Sequence, residues 1–239
     1  MEFLRTKKRR PLRCAAVIVA AGAATRMNGI DKMMADLRGE PVLLRTLRTF
    51  NGCPRIDELV VVTREDLMLP VEQLCRDHRL DKVHQVLLGG DERTSSVLAG
   101  LDAIADRDGL VAIHDGARPL VTEDIILRTI QKAEETGAAA PAVPMKDTVK
   151  VARKGVIEAT PDRSSLVAVQ TPQVFDLDLV RGALYKAEQE GILVTDDCSA
   201  VERLGMKVVL TQGADENIKI TTPADLAVAE AFLSRREAW

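Results

Sequence analysis

The sequence predicts an α/β protein: a single Rossmann-like domain, its mostly parallel sheet covered by helices on both faces, with a protruding β-hairpin arm. Three observations carry this. Short apolar runs alternate with helical patterns from residue 15 to residue 143. The runs are continuously apolar, as strands buried on both faces are, and a strand–helix alternation of this kind builds a parallel sheet. One stretch, 147–160, breaks the rhythm: "DTVKVARKGVIEAT" alternates with period two about a Lys154-Gly155 centre, which is a hairpin signal.

Each element follows from its local pattern. Ala15–Ala20 is a buried strand, and Pro41–Asn51 is a helix with proline in its first turn. Glu58–Thr63 is the second strand, Leu67–Arg79 a helix, and Lys82–Leu88 the third strand, closed by Gly89-Gly90. Glu92–Ile104 is a helix with Val97, Leu98, Leu101 and Ile104 on one face. Leu110–His114 is the fourth strand. Thr122–Thr136 is a helix with Thr122 as N-cap, Glu123 and Asp124 in the first turn, and Gly137 as its stop. Ala138–Val143 is the fifth strand. Beyond the hairpin, helices at Asp176–Glu190 and Asp197–Leu204, a strand at Lys207–Thr211 and a helix from Thr222 complete the domain. Residues 14–239 are one unit with the arm at about 145–165, and residues 1–13 are a basic tail. An arm with nothing in its own chain to cover it predicts a homodimer.

Composition narrows the function. Of 239 residues, 46% are apolar and 29% charged, enough for a core within an ordinary surface. Net charge is −3; the first 13 residues carry +5, which leaves −8 for the rest. A body that acidic does not have nucleic acid as its main partner. No apolar run approaches the roughly 18 residues of a membrane span. Cys14, Cys53, Cys75 and Cys198 show no paired spacing and read as small buried hydrophobes in a reducing compartment, the cytoplasm. His78, His84 and His114 form no metal-binding pair. The N-terminal stretch "AAVIVAAGAATRM" after Lys7–Arg10 also has the look of a secretory leader. Cleavage there would remove the first strand of the sheet, so the stretch reads as a strand followed by a nucleotide loop.

Ligands of open parallel sheets bind at the carboxyl ends of the strands. Four such ends offer small residues with cations: Gly22, Arg26 and Lys32 after the first strand; Gly89-Gly90 after the third; Asp115 and Arg118 after the fourth; and Lys219 near the end of the chain. Small residues let backbone N–H groups approach a phosphate or a base, and the cations offset phosphate charge. Singly, each has a commoner structural use, Arg26 as a surface cation and Asp115 as a turn residue. Their convergence on one sheet edge selects the functional reading. The patterns G-x-G-x-x-G and G-x-x-x-x-G-K-[ST] are both missing, which argues against a nicotinamide dehydrogenase and a P-loop ATPase.

The motifs "AAVIVAAGAATRM", "GGDERTSSVLAGL", "HDGARPL", "DTVK", "DRSSLVAVQTPQVF", "TDDCSAVERLG" and "NIKITTPADLAVAE" run in this order through residues 15–230. As a set they resemble the 2-C-methyl-D-erythritol 4-phosphate cytidylyltransferases of the non-mevalonate isoprenoid pathway. "ERTSSVLAGL" and "GARP" are closer to that family than to the ribitol-5-phosphate cytidylyltransferases, the runner-up; a non-catalytic nucleotide-binding module is the third reading. The resemblance implies that Arg26 and Lys32 stabilise charge on the triphosphate of CTP, and that Arg163 and Lys219 position the sugar phosphate. It implies a cytidine pocket of Ala20, Ala21, Gly22, Gly89, Gly90, Asp91 and Ser96. It assigns Asp115, Arg118, Thr148 and Thr171 to the alcohol phosphate, with Thr148 and Arg163 reaching in from a partner's arm. Mg²⁺ is the implied cofactor, with Asp115 as its candidate carboxylate. The segment Gly22-Ala23-Ala24-Thr25-Arg26 departs from the family by lacking a second glycine. The chemistry is consistent with this residue set: a phosphate monoester is already anionic near neutral pH, so attack on an α-phosphate needs charge neutralisation and positioning, not a general base.

Overall fold

The computed structural model describes residues 11–22, 31–105 and 108–237. An eight-stranded sheet forms the centre. Its strands are β1 (Cys14–Val19), β2 (Glu58–Thr63), β3 (Val83–Leu88), β4 (Leu110–Asp115), β5 (Ala138–Pro144), β8 (Val167–Val169), β9 (Gln173–Asp176) and β10 (Val209–Gln212). The order is β10-β5-β9-β4-β1-β2-β3, and β8 pairs with β5. β1 lies between β4 and β2, parallel to both, with Val17 level with Ile113 and Val60.

Both faces of β1 are covered, which explains its unbroken apolar run. Ala16 and Ile18 join one core, with α1 (Val42–Gly52), α2 (Met68–Asp77) and α4 (Glu123–Thr136) packed over it. Val17 and Val19 join the other, under α3 (Arg93–Asp102), α5 (Leu177–Gln189) and α6 (Asp197–Arg203). A smaller cluster around Leu37, Leu120 and Ile220 receives α7 (Pro223–Glu237). Thr122 caps α4 as its position predicts, its hydroxyl accepting from the Ile125 N–H, and the helix ends at Gly137.

The hairpin is present. β6 (Val151–Arg153) and β7 (Val156–Ala159) form a separate antiparallel pair, joined by Lys154 at φ 49° and Gly155 at φ 81°. Two successive positive φ angles match the turn whose twist suits a tight hairpin, and glycine takes the second without strain. Every residue of both strands is exposed.

Observed strands lie within about two residues of those expected, with one real difference. The sequence pattern assigns no strand between 161 and 175, yet β8 and β9 lie there, both antiparallel to β5. The route explains them. β5 leaves the sheet at its carboxyl end, the chain runs out into the arm, and it must re-enter from that same end. β9 therefore runs backwards into the gap between β4 and β5.

Candidate functional site

The carboxyl ends of β1, β2, β3 and β4 and the N-terminus of α3 converge on a cavity of about 400 Å³. Of the residues expected in the site, it gathers Ala21, Gly22, Lys32, Gly89, Gly90, Asp91, Ser96, Asp115 and Lys219. Ala20 sits just behind, fully buried, its N–H donating to the Val62 carbonyl. Arg26 and the Ala23-Ala24 pair lie outside the described residues.

One end of the cavity is built by close packing. A Cβ on Gly89 would lie 2.5 Å from the Ala21 Cβ and 2.7 Å from the Ser96 Oγ. Only glycine lets the β3 end approach β1 this closely. The Ser96 hydroxyl donates to the Glu92 carbonyl at 3.0 Å, which ties the first turn of α3 to the same wall. The result is a slot lined by small side chains and backbone, suited to a flat ring.

The floor is electrostatic. The Asp115 carboxylate, 6% exposed, meets Lys219 Nζ at 3.0 Å, Arg118 Nε at 3.4 Å and Arg93 Nε at 3.8 Å. Burial alone would raise its pKa, but Lys219, then Arg93 and Arg118, hold the carboxyl well below the usual carboxylate range. Arg93 also forks onto the fully buried Asp197, at 2.7 and 2.8 Å. Lys219 is the most exposed of the three cations on Asp115, at 40% of its side chain against 29% for Arg93 and 13% for Arg118, so its ammonium reaches a ligand most readily, while Arg118 serves as fixed charge.

A buried polar layer supports this floor. The Asp115 N–H donates to the Thr171 Oγ1 at 3.2 Å, and the Thr171 hydroxyl contacts His114 Nδ1 at 2.9 Å. His114 is fully buried against Phe50, and burial pushes its imidazole down to about 3, so it is neutral. Asn217 donates to the Thr171 carbonyl and accepts through its own carbonyl from Arg118 at 2.7 Å. Thr171 and Arg118 are thus the supports of Asp115 and do not line the cavity.

Thr148 and Arg163 are exposed on the arm segment and also lie off the cavity of their own chain. The Arg163 guanidinium donates to the Lys146 carbonyl at 3.0 Å.

Sequence reasoning missed Arg93, Asp197 and Arg64, all of which shape the site. Arg93 carried a signal: a cation at the first residue of a helix opposes the helix dipole and needs a compensating carboxylate. Arg64, at the end of β2, lines the cavity beside Lys32.

Among the described residues no group of three or more potential metal ligands occurs. Asp115 is a single carboxylate already claimed by three cations, so it does not form a protein-built metal cage. The donor set fits Mg²⁺ held mainly by the phosphates of a ligand, with one carboxylate at most.

The sequence profile of the family described as IspD, 2-C-methyl-D-erythritol 4-phosphate cytidylyltransferase, matches residues 14–235. The enzyme of that name from Caldanaerobacter subterraneus subsp. tengcongensis is 46% identical over 227 residues, covering 92% of this chain and 98% of its own. That from Geobacillus kaustophilus is also 46% identical, over 93% of this chain and 98% of its own. The crystal structure of 4-diphosphocytidyl-2C-methyl-D-erythritol synthase from Anaerococcus prevotii superposes with a TM-score of 0.83 at 31% identity, covering 94% of this chain and 97% of its own. With the profile spanning residues 14–235 and close relatives of that name covering more than nine-tenths of the sequence, this chain belongs to the 2-C-methyl-D-erythritol 4-phosphate cytidylyltransferase family.

Proposed function

We propose that the protein transfers the cytidylyl group of CTP to 2-C-methyl-D-erythritol 4-phosphate, releasing pyrophosphate, in isoprenoid precursor synthesis. Beyond family membership, the observation that carries this reading is the union, in one cavity, of a small-residue slot with the cation-rich floor around Asp115. A phosphate oxygen of the alcohol phosphate attacks the α-phosphorus; the bond to the β,γ-diphosphate breaks, and pyrophosphate leaves with the electron pair. The nucleophile enters as an anion, so no residue has to remove its proton.

The slot of Ala21, Gly89 and Ser96 takes the cytosine. Lys32, with Arg26 six residues before it in sequence, meets the triphosphate. Lys219 meets the alcohol phosphate, held in place by Asp115. Bound Mg²⁺ would lower the charge of the triphosphate, with Asp115 as the nearest buried carboxylate. Thr148 and Arg163, which do not line the candidate cavity of their own chain, complete the site of a partner subunit through the exposed arm. The chain therefore works as a homodimer. Four buried, unpaired cysteines suit a reducing cytoplasm, and no described helix is long and apolar enough to cross a membrane.

The test is pyrophosphate release from purified protein with CTP and Mg²⁺. Release with 2-C-methyl-D-erythritol 4-phosphate, and much less with ribitol 5-phosphate, is the expected result. Preference for ribitol 5-phosphate would reassign the substrate, and no release with either at millimolar concentrations would overturn the reading.

A further inference from the structure

Residues 31–34 form a tight turn at the cavity in which one carboxylate is used three ways. Asp31 Oδ1 accepts from the N–H groups of Met33 at 2.7 Å and Met34 at 3.2 Å. Asp31 Oδ2 accepts from Arg64 Nη2. The turn places Lys32 at the cavity wall, its ammonium 3.2 Å from where a Gly22 Cβ would stand. Arg64 is itself anchored: Nε and Nη2 each donate to Asp66 at 3.0 Å. The guanidinium thus spans a rigid strand end and the turn that carries Lys32. Asp31 and Arg64 are about a quarter exposed at their side chains, and the Arg64 Nη1 is buried with no hydrogen-bond partner among the described residues.

We propose that Asp31 and Arg64 form a clasp that fixes Lys32 against the nucleotide subsite, acting as positioning residues for the triphosphate without touching the reacting atoms. This rests on the reading of Lys32 as a triphosphate cation. The physical need is plain. A lysine ammonium on a four-carbon stem is a mobile point charge, and its value depends on how well its backbone is held. Met33, buried in the core with its carbonyl accepting from the Leu43 N–H, seats one side of the turn; the ion pair to Arg64 ties Asp31, on the other side, to the end of β2. The planar guanidinium can hold Asp31 and Asp66 together, whereas a lysine at 64 could not reproduce that fork.

The experiment is a double-mutant cycle on the full chain with Asp31→Asn and Arg64→Gln, with Lys32→Ala and Asp66→Asn alongside. Asp31→Asn keeps an oxygen for the Met33 and Met34 N–H groups and removes the charge that Arg64 holds. Asp31→Asn and Arg64→Gln should each raise KM for CTP by about tenfold, leaving KM for the alcohol phosphate and the thermal midpoint unchanged. The double variant should be no worse than the worse single, because both remove one link. Asp66→Asn should change KM for CTP little. Losses that multiply in the double variant would overturn the clasp, because Arg64 would then act on the nucleotide directly. Equal rises in both KM values would also overturn it, as a general structural defect. If Lys32→Ala raises KM for CTP while the clasp variants do not, the clasp fails and the role of Lys32 stands. If Lys32→Ala leaves KM for CTP unchanged, the role of Lys32 falls and the clasp with it.

Discussion

The floor of the cavity and the hairpin arm are both polar stretches at strand ends, yet the chain treats them in opposite ways. Around Asp115 the protein closes its own interactions. Three cations face one carboxylate, Arg93 is held by buried Asp197, and Thr171, His114 and Asn217 fill in behind. On the arm the polar contacts are exposed ones, such as Arg153 with Glu158 and Lys150 with Thr160. β6 and β7 are exposed throughout, with Val156 at 66% and Ile157 at 61%. A buried ionic cluster costs desolvation that only complete pairing offsets, so the floor is rigid before any ligand arrives. An uncovered two-stranded ribbon is marginal in water and needs a surface to settle on. Under the proposed dimer the difference is a division of labour: one chain preforms the charge cluster, and a second chain supplies the cover.

The largest effect should follow from breaking the floor. Asp115→Ala takes the shared carboxylate from Lys219 and Arg118, while Arg93 keeps Asp197, and should cost about 2–3 kcal/mol of stability, with loss of turnover. Urea denaturation measures it; a loss under about 1 kcal/mol would mean the cations find other partners. Lys219→Ala should be gentler on the fold, because its side chain is 40% exposed, but should lower kcat by about 10²–10³. Steady-state kinetics on a variant with a wild-type melting curve separates the two roles.

A smaller effect appears with pH. His114 is held neutral, its pKa pushed down to about 3, while in the unfolded chain it lies near 6.5. Between these values the unfolded chain binds a proton that the folded one refuses. Stability therefore falls as pH drops below about 6.5, at up to about 1.4 kcal/mol per unit. Asp115, whose folded pKa is depressed, adds to the loss only below about pH 4. His114→Gln should flatten the stability profile between pH 7 and 5; parallel profiles for the two proteins would contradict the account. The smallest change in fold stability, within about 0.5 kcal/mol, should come from Ile157→Asp on the arm. Sedimentation should nonetheless show this variant shifted towards monomer, with activity reduced.

Much of this was legible in the sequence, for physical reasons that differ by region. β1, β2 and β4 announced themselves because two-sided burial demands unbroken apolar runs. Thr122 and Gly137 marked the ends of α4 by their backbone chemistry, and Lys154-Gly155 marked the hairpin. Gly89-Gly90 marked an open strand end, and the other members of the slot came from the family resemblance; that no side chain fits at Gly89 became visible only in the fold. β9 was not readable: "QVF" is too short for any period and follows Pro172, and what makes it a strand is the gap between β4 and β5. Arg93 was hidden inside a motif whose glycines and serine drew the assignment. Its partner Asp197 lies 104 residues away, a pairing that only the fold creates. Thr171 was expected at the substrate and is found supporting Asp115 from behind, because a hydroxyl beside a buried imidazole is spent on internal hydrogen bonds.

The division of labour between floor and arm is tested most directly by subunit mixing. Arg26→Ala damages the nucleotide loop of one chain, and Arg163→Ala damages the arm offered to the other. Each homodimer should be nearly inactive. After exchange is verified by differential tagging, a random mixture should recover about a quarter of wild-type turnover, since half of the dimers carry one intact site of two. Recovery at that level is the predicted result. A mixture that stays inactive after complete exchange would contradict the claim that the arm completes the neighbouring site.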